Sequence, residues 1–276
     1  MENLPLVSVI VPTYNGEKYV KEALCSVLKQ DYPNMEILTI DDCSKDHTPD
    51  ILKHIKQELD TKDQIKIILD KKNKWIPRNM NLWLNESNGK YVAVLDQDDF
   101  WIDESKLSKQ VDFLESNRDF GLVWTNVIID RMWEKIENKL PSSDENIRKI
   151  ILWLCCFQHS SVMYQKSLAI DVWWYSLEYK YTMDYKLFLD LMKEAKASNI
   201  SDITTYYRLH WNNVSMKYTC DQRKEALNIY REYKDYFPEA MKALILRIGL
   251  FATSKIFSGN STYEKLKLSI KNFYQS

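Results

Sequence analysis

Four short apolar runs, residues 6–11, 35–40, 65–69 and 91–95, are each separated from the next by a stretch of helical periodicity, and this alternation constrains the fold more than any other feature. Runs of that length without polar alternation suit strands covered on both faces. Between the first two, Tyr19, Val20, Ala23, Leu24, Val27 and Leu28 recur at helical spacing. Between the next two, capping candidates Ser44 to Asp46 precede a helix predicted over 50–59, and a further helix is predicted over 79–85. Strands joined through helices form right-handed crossovers and a parallel sheet, so the fold class is α/β with a mostly parallel sheet. In such sheets ligands bind beyond the carboxyl ends of the strands. Three polar clusters stand at those ends: Thr13-Tyr14-Asn15, Asp41-Asp42, and Asp96-Gln97-Asp98-Asp99.

Past Leu107, whose helix carries Val111 and Leu114, the pattern predicts a strand over 120–129 and a charged loop over 134–145. Helices follow from Ile147 and from Met183, a strand is predicted over 203–210, and beyond Asp221 the pattern is helical. The apolar run 243–252 is too short to span a bilayer and contains Arg247. Its periodicity favours packing on a core, while the lysines and aromatic residues around it would also suit a membrane surface.

Composition narrows the function. With 276 residues, 45% of them hydrophobic, the chain can bury a full core. A net charge of −1 without a basic block argues against nucleic acid as a partner. The five cysteines show no Cys-x-x-Cys spacing, which points away from zinc and disulfides and toward reduced thiols in a cytoplasm. Residues 1–5 lack the basic and apolar regions of an export signal.

The acidic cluster carries the chemistry. Asp96, Asp98 and Asp99 follow a buried strand, where like charges repel and desolvation costs several kcal/mol unless a positive group compensates. A hard divalent cation, Mg²⁺ or Mn²⁺, shared with a substrate diphosphate resolves this; a solvated acidic turn or helix cap is the plainer alternative. Tyr14 can stack on a base, Asp42 can accept from a uracil imide, and Arg78 and Lys74 can meet phosphate oxygens. Taken singly, Tyr14 also suits a core ring, Asp42 a helix cap and Arg78 a solvated helix position.

In order along the chain, residues 7–15 (VSVIVPTYN), 40–46 (IDDCSKD), Gly89-Lys90-Tyr91 and Leu95-Asp96-Gln97-Asp98-Asp99 resemble the signature of family 2 glycosyltransferases. The resemblance implies the three-layer nucleotide-diphospho-sugar transferase (GT-A) fold with a helical C-terminal tail. It also implies an inverting, metal-dependent transfer from a nucleotide sugar. It divides the chain into a catalytic domain, 1–220, with a nucleotide-sugar half, 1–100, and an acceptor half, 101–220, followed by a helical extension, 221–276. By resemblance, Pro12, Thr13 and Tyr14 line the uridine pocket, Asp42 reads the uracil, and Arg78 contacts the diphosphate, with Gln97 on the donor side. Asp96, Asp98 and Asp99 are the metal and ribose carboxylates, and His210, from the stretch Tyr207-Arg208-Leu209-His210 followed by Asn213 and Ser215, hydrogen-bonds the diphosphate or joins the metal shell, a satisfied structural histidine being the plainer alternative. His159, Ser160 and Trp101 fall on the acceptor side.

An inverting transfer needs a general base on the acceptor hydroxyl. The family places it in a Glu-Asp pair opening a helix, which here is Met183-Asp184, so Asp184 is the expected base. An N-terminal helix aspartate favoured by the helix dipole is the alternative. Cys43 and Trp75 stand where related sequences often carry glycine. The expected reaction transfers a hexose, glucose first and galactose next, from a UDP-sugar to a GlcNAc- or GalNAc-diphospho-undecaprenol intermediate of O-antigen or capsule assembly. The expected place is the cytoplasm, with peripheral contact at the inner membrane. A nucleotidyltransferase would want a glycine-rich phosphate loop after the first strand, where only Gly16 stands. A non-catalytic nucleotide-sugar-binding subunit is the other alternative, favoured by Met183.

Overall fold

The structure is a computed structural model that describes residues 4–131, 134–152, 154–238, 244–245 and 248–249. The predicted alternation is realised as β1 (Val7–Thr13), α1 (Val20–Leu28), β2 (Met35–Asp41), α2 (Thr48–Leu59), β3 (Ile65–Leu69), α3 (Ile76–Glu86) and β4 (Tyr91–Val94). These strands pair in parallel in the order β3-β2-β1-β4, which puts Thr13 beside Asp41 and Val7 beside both Met35 and Tyr91.

The second half is mixed. It comprises β5 (Phe100–Trp101), α4 (Lys106–Ser116), β6 (Phe120–Arg131), β7 (Glu134–Asn138), α5 (Asp144–Ile150), a 3₁₀ turn (His159–Ser161), β8 (Met163–Gln165), α6 (Lys166–Asp171), α7 (Met183–Glu194), β9 (Lys196–Leu209), α8 (Val214–Lys217) and α9 (Thr219–Tyr233). The sheet continues β4-β8-β6-β9-β5, with β8 and β5 antiparallel to their neighbours and β6 and β9 parallel. The segment expected as a charged loop over 134–145 instead begins with β7, which pairs with the outer half of β6 from Asn138 to Glu134. Its charged side chains are mostly exposed, as an edge strand that avoids pairing with other chains requires.

Strand alternation sorts the core into two layers. On one face Ile10, Leu38, Ile40, Val92 and Val94 pack with Met80, Trp83 and Leu84 of α3, with Leu187, Phe188 and Leu191 of α7, and with Ile229 and Tyr233 of α9. On the other, Val7, Val9, Val11, Ile37 and Ala93 pack with Leu24 and Val27 of α1, Leu52 and Ile55 of α2, and Leu107, Val111 and Leu114 of α4. The result is a helix–sheet–helix sandwich whose carboxyl-end loops gather along one edge. No helix among the described residues is long and apolar enough to cross a membrane. Most of the apolar run 243–252 lies outside the described residues.

Gly89 shows how tightly the first strands are set. Its N–H donates to Ser8 Oγ at 2.8 Å, and a Cβ there would stand 2.5 Å from the Ser8 nitrogen and 2.7 Å from the Tyr91 carbonyl oxygen. Gly89→Ala is therefore expected to cost about 1–3 kcal/mol through overpacking. Urea denaturation reads this directly, and a midpoint equal to wild type would contradict the close approach.

Candidate functional site

The acidic turn after β4 is built by long-range hydrogen bonds. Asp99 N–H closes it on the Asp96 carbonyl at 3.0 Å. Gln97 ties it to the loop after β1, its Oε1 accepting from Tyr14 N–H at 2.8 Å and its Nε2 donating to the Tyr14 carbonyl at 2.9 Å. Both polar ends of Gln97 are thereby engaged in clamping one loop to the other, so its side chain serves architecture where a donor contact was expected.

The three carboxylates divide their work. Asp99 is fully buried: one oxygen accepts from Ser160 Oγ and the other from Arg208 N–H at 2.9 Å. Burial, reinforced by the charges of Asp98 and Asp96, pushes its carboxyl well above the usual range. Both Asp99 oxygens are thereby committed inside the fold. Asp96 and Asp98 stay partly open, with side chains 32% and 20% exposed.

Asp98 is held from the end of β9. Its Oδ2 accepts from Asn213 Nδ2 at 2.9 Å and lies 3.1 Å from His210 Nε2. Because His210 Nδ1 accepts from Asn212 N–H at 3.2 Å, the ring carries its proton on Nε2 and donates it to Asp98. In this arrangement the His210 ring is a hydrogen-bond donor to Asp98. Arg208 Nη1 donates to the Asp98 carbonyl at 2.9 Å, and its guanidinium lies 4.6 Å over the Phe100 ring.

Asp96 meets the other half of the molecule. Its Oδ1 is 3.0 Å from His159 Nδ1, and His159 Nε2 is 3.2 Å from the Tyr175 hydroxyl. Burial lowers the imidazole's proton affinity, but the Asp96 charge and hydrogen bond, with Asp184 beyond, outweigh it, and the net direction is upward. Asp184 stands in the first turn of α7. Burial raises its carboxyl above the usual range, His159 and the Tyr185 amide offset this in part, and Asp96 adds to the rise. A carboxylate with raised proton affinity at a helix N-terminus is suited to accepting a proton.

On the opposite side of the turn, Tyr14 is 45% exposed, leaving a ring face open for stacking. Asp42 is buried, one oxygen accepting from Lys74 N–H at 2.7 Å. Its other oxygen has no hydrogen-bond partner among the described residues. Arg78, in the first turn of α3, is exposed and makes no ion pair among the described residues. Lys74 Nζ, in contrast, pairs with Asp70 at 2.6 Å. Both positions where glycine was expected have left-handed backbones, φ 65° at Cys43 and 70° at Trp75, which glycine adopts without steric cost.

Three further expectations change. Thr13 Oγ1 donates to the Ile40 carbonyl at 2.9 Å and is buried, so its hydroxyl fastens β1 to β2 while Pro12 beside it is half-buried in the strand. Ser160 is fully buried, bonded to Asp99 and accepting from Asp96 N–H at 3.1 Å. Trp101 is buried, donating to the Ser160 carbonyl at 2.8 Å beneath the ammonium of Lys106. Neither Ser160 nor Trp101 presents its side chain to solvent. Arg208, Asn213 and Tyr175 join the site without having been assigned a role. Arg208 falls within the stretch that resembles the family and Asn213 just beyond it, but Tyr175 lies in a loop with no motif to mark it.

Comparison with known proteins gives the family and the fold. The glycosyl transferase family 2 profile matches residues 8–173. An uncharacterized glycosyltransferase of Haemophilus influenzae is 28% identical over 291 aligned residues, covering 100% of this chain and 88% of the relative. The Escherichia coli UDP-Glc:alpha-D-GlcNAc-diphosphoundecaprenol beta-1,3-glucosyltransferase WfaP is 32% identical over 215 residues, 77% of this chain and 80% of that protein. Among solved structures, S. aureus TarS 1–349 superposes with a TM-score of 0.68 at 23% identity, over 92% of this chain and 75% of that one. With the profile spanning more than half the sequence and the fold shared with TarS, the chain belongs to glycosyl transferase family 2.

Proposed function

We propose that this glycosyltransferase moves a hexose, glucose before galactose, from a UDP-sugar to a GlcNAc- or GalNAc-diphospho-undecaprenol acceptor, with inversion and with a divalent metal. The observation that carries the proposal is the pairing of two partly open carboxylates, Asp96 and Asp98, with a third, Asp184, in the first turn of α7, close enough to feel the charges of both His159 and Asp96. Two relatives support the donor and acceptor: WfaP, and E. coli WfgD, which bears the same activity name and is 29% identical over 212 residues. TarS has been solved with UDP and with UDP-GlcNAc, and an archaeal mannosyltransferase of the same fold with GDP-Man and Mn²⁺. O-antigen or capsule assembly is the setting such an acceptor implies.

The donor set fits a hard cation. Asp96 Oδ2 and Asp98 Oδ1 have no partner among the described residues, and oxygen ligands suit Mg²⁺ or Mn²⁺. No three His, Cys, Asp or Glu side chains among the described residues form a ready metal cage. Diphosphate oxygens and water would therefore complete the shell. When bound, the ion supplies charge neutralisation of the departing diphosphate.

The chain's own residues do the rest. Tyr14 stacks on the base, and the free oxygen of Asp42 accepts from the uracil imide. The unpaired guanidinium of Arg78 meets the diphosphate, where a forked donor is worth more than a point charge. His159, held between Asp96 and Tyr175, fixes the Asp96 carboxylate and borders the acceptor side. Asp184 accepts the acceptor hydroxyl proton as that oxygen attacks the anomeric carbon, and the bond to the diphosphate breaks on the opposite face.

The test is UDP release and product mass with Mn²⁺, UDP-glucose or UDP-galactose, and a short-lipid GlcNAc-diphosphate acceptor. Turnover is expected with one donor and is expected to stop with EDTA; turnover indifferent to EDTA would overturn the metal. Asp184→Asn should lower kcat about 10²–10⁴-fold while UDP still binds, and near-normal turnover would remove Asp184 as the base. The neighbouring aspartates should separate cleanly. Asp98→Ala should abolish metal-supported UDP binding with a thermal midpoint near wild type, since it also relieves like-charge repulsion. Asp99→Ala should lose about 2–4 kcal/mol of folding stability, because it strands the Ser160 hydroxyl and the Arg208 amide.

A further inference from the structure

The helix that carries Asp184 does not secure its own N-terminus. Thr182 occupies the N-cap of α7 but makes no capping hydrogen bond. Its hydroxyl donates instead to Glu225 Oε2 on α9, at 2.8 Å. The same carboxylate accepts from Lys180 N–H at 3.0 Å and from Tyr181 N–H at 2.9 Å. From the preceding turn of α9, Gln222 Nε2 donates to the Tyr181 carbonyl at 3.2 Å, and the Tyr181 ring stacks on Tyr218 with centroids 4.6 Å apart. Tyr179 donates its hydroxyl to Glu232, and Lys186 Nζ donates to the Tyr233 hydroxyl at 2.7 Å. Each residue from 179 to 182 is thus gripped from α9 or the turn before it.

Hydrogen bonds to an ionised carboxylate are roughly twice as strong as neutral ones. Three of them converge on Glu225, two from consecutive backbone amides, and so fix the backbone of 180–182 in both position and rotation. The next residues are Met183 and Asp184. Met183 occupies the place of the family's glutamate, and α9 begins at Thr219, beyond the profile match that ends at residue 173.

We propose that Glu225 is a positioning residue for sugar transfer: by holding residues 180–182 it sets where the first turn of α7 presents Asp184, and this makes α9 part of the catalytic apparatus. The inference rests on the reading of Asp184 as general base. The loop it fixes also reaches the donor side, since the Lys180 ammonium lies 3.2 Å over the Trp75 ring at the entrance to α3.

The experiment is a double-mutant cycle on the full chain, following UDP release with Mn²⁺, UDP-glucose and the short-lipid GlcNAc-diphosphate acceptor. Glu225→Ala should lower kcat about 10- to 100-fold, the scale of a misplaced reacting group, with a much smaller change in UDP affinity by calorimetry. Glu225→Gln should recover part of the loss, because the amide oxygen still accepts. In the Asp184→Asn background, Glu225→Ala should add no further loss, since both act through one group. Wild-type turnover in Glu225→Ala, or its full loss repeated on top of Asp184→Asn, would overturn the inference. Near-normal turnover in Asp184→Asn alone would instead overturn the reading of Asp184. Amide hydrogen exchange on Glu225→Gln needs no turnover: exchange should quicken across 180–185 while the later turns of α7 keep their protection. Unchanged exchange there would equally overturn the inference.

Discussion

Burying a carboxylate costs several kcal/mol unless donors replace the lost water, and the Ser160 hydroxyl and the Arg208 amide offset part of that cost at Asp99. Those two donors come from different parts of the chain, the 3₁₀ turn before β8 and the end of β9. Their convergence ties the acidic turn after β4 to the second half of the sheet. Once Asp99 points inward, the turn presents Asp96 and Asp98 outward, and the rest of the site follows from that division. Arg208 then braces the Asp98 carbonyl. Its exposed pair with Glu22 adds little, because such pairs contribute under about 1 kcal/mol.

A second set of contacts runs from Asp96 to α3. Asp96 leads to His159 and on to Tyr175, whose backbone N–H and C=O are both bound by the Asn81 side chain of α3, at 2.9 and 2.8 Å. Asn81 and Arg78 share that helix.

The first hundred residues were largely legible because their signals are local: buried runs, helical spacing and turn residues fixed β1 to β4 and the helices between them to within a few positions. Asp96, Asp98, Tyr14 and Asp42 were legible as polar residues at strand ends. What was not legible depends on partners far along the chain. The Gln97 amide binds Tyr14, Ser160 binds Asp99, and Trp101 binds the Ser160 carbonyl, contacts across the chain that no local pattern announces. Strand β7 was hidden by its charges, since an exposed edge strand has no apolar face to announce it. Tyr175 and Glu225 belong to no motif, and only the packing of the α6–α7 loop against α3 and α9 brings them into play.

Trp75 shows how these long-range contacts let the chain depart from a glycine. A side chain held at φ 70° costs of order 1–3 kcal/mol. The Lys180 ammonium 3.2 Å over the indole ring returns about 0.5–2 kcal/mol of it, more where water is excluded. The two magnitudes are comparable, so the conformation at the entrance to α3 depends on a residue whose own backbone is held by Glu225. Glycine at position 75 would need no such support and would leave the donor edge independent of the α6–α7 loop. With tryptophan there, the entrance to the Arg78 helix and the entrance to the Asp184 helix are fastened to each other, and the same contact that relieves backbone strain on one side of the cleft restrains the loop leading into α7 on the other.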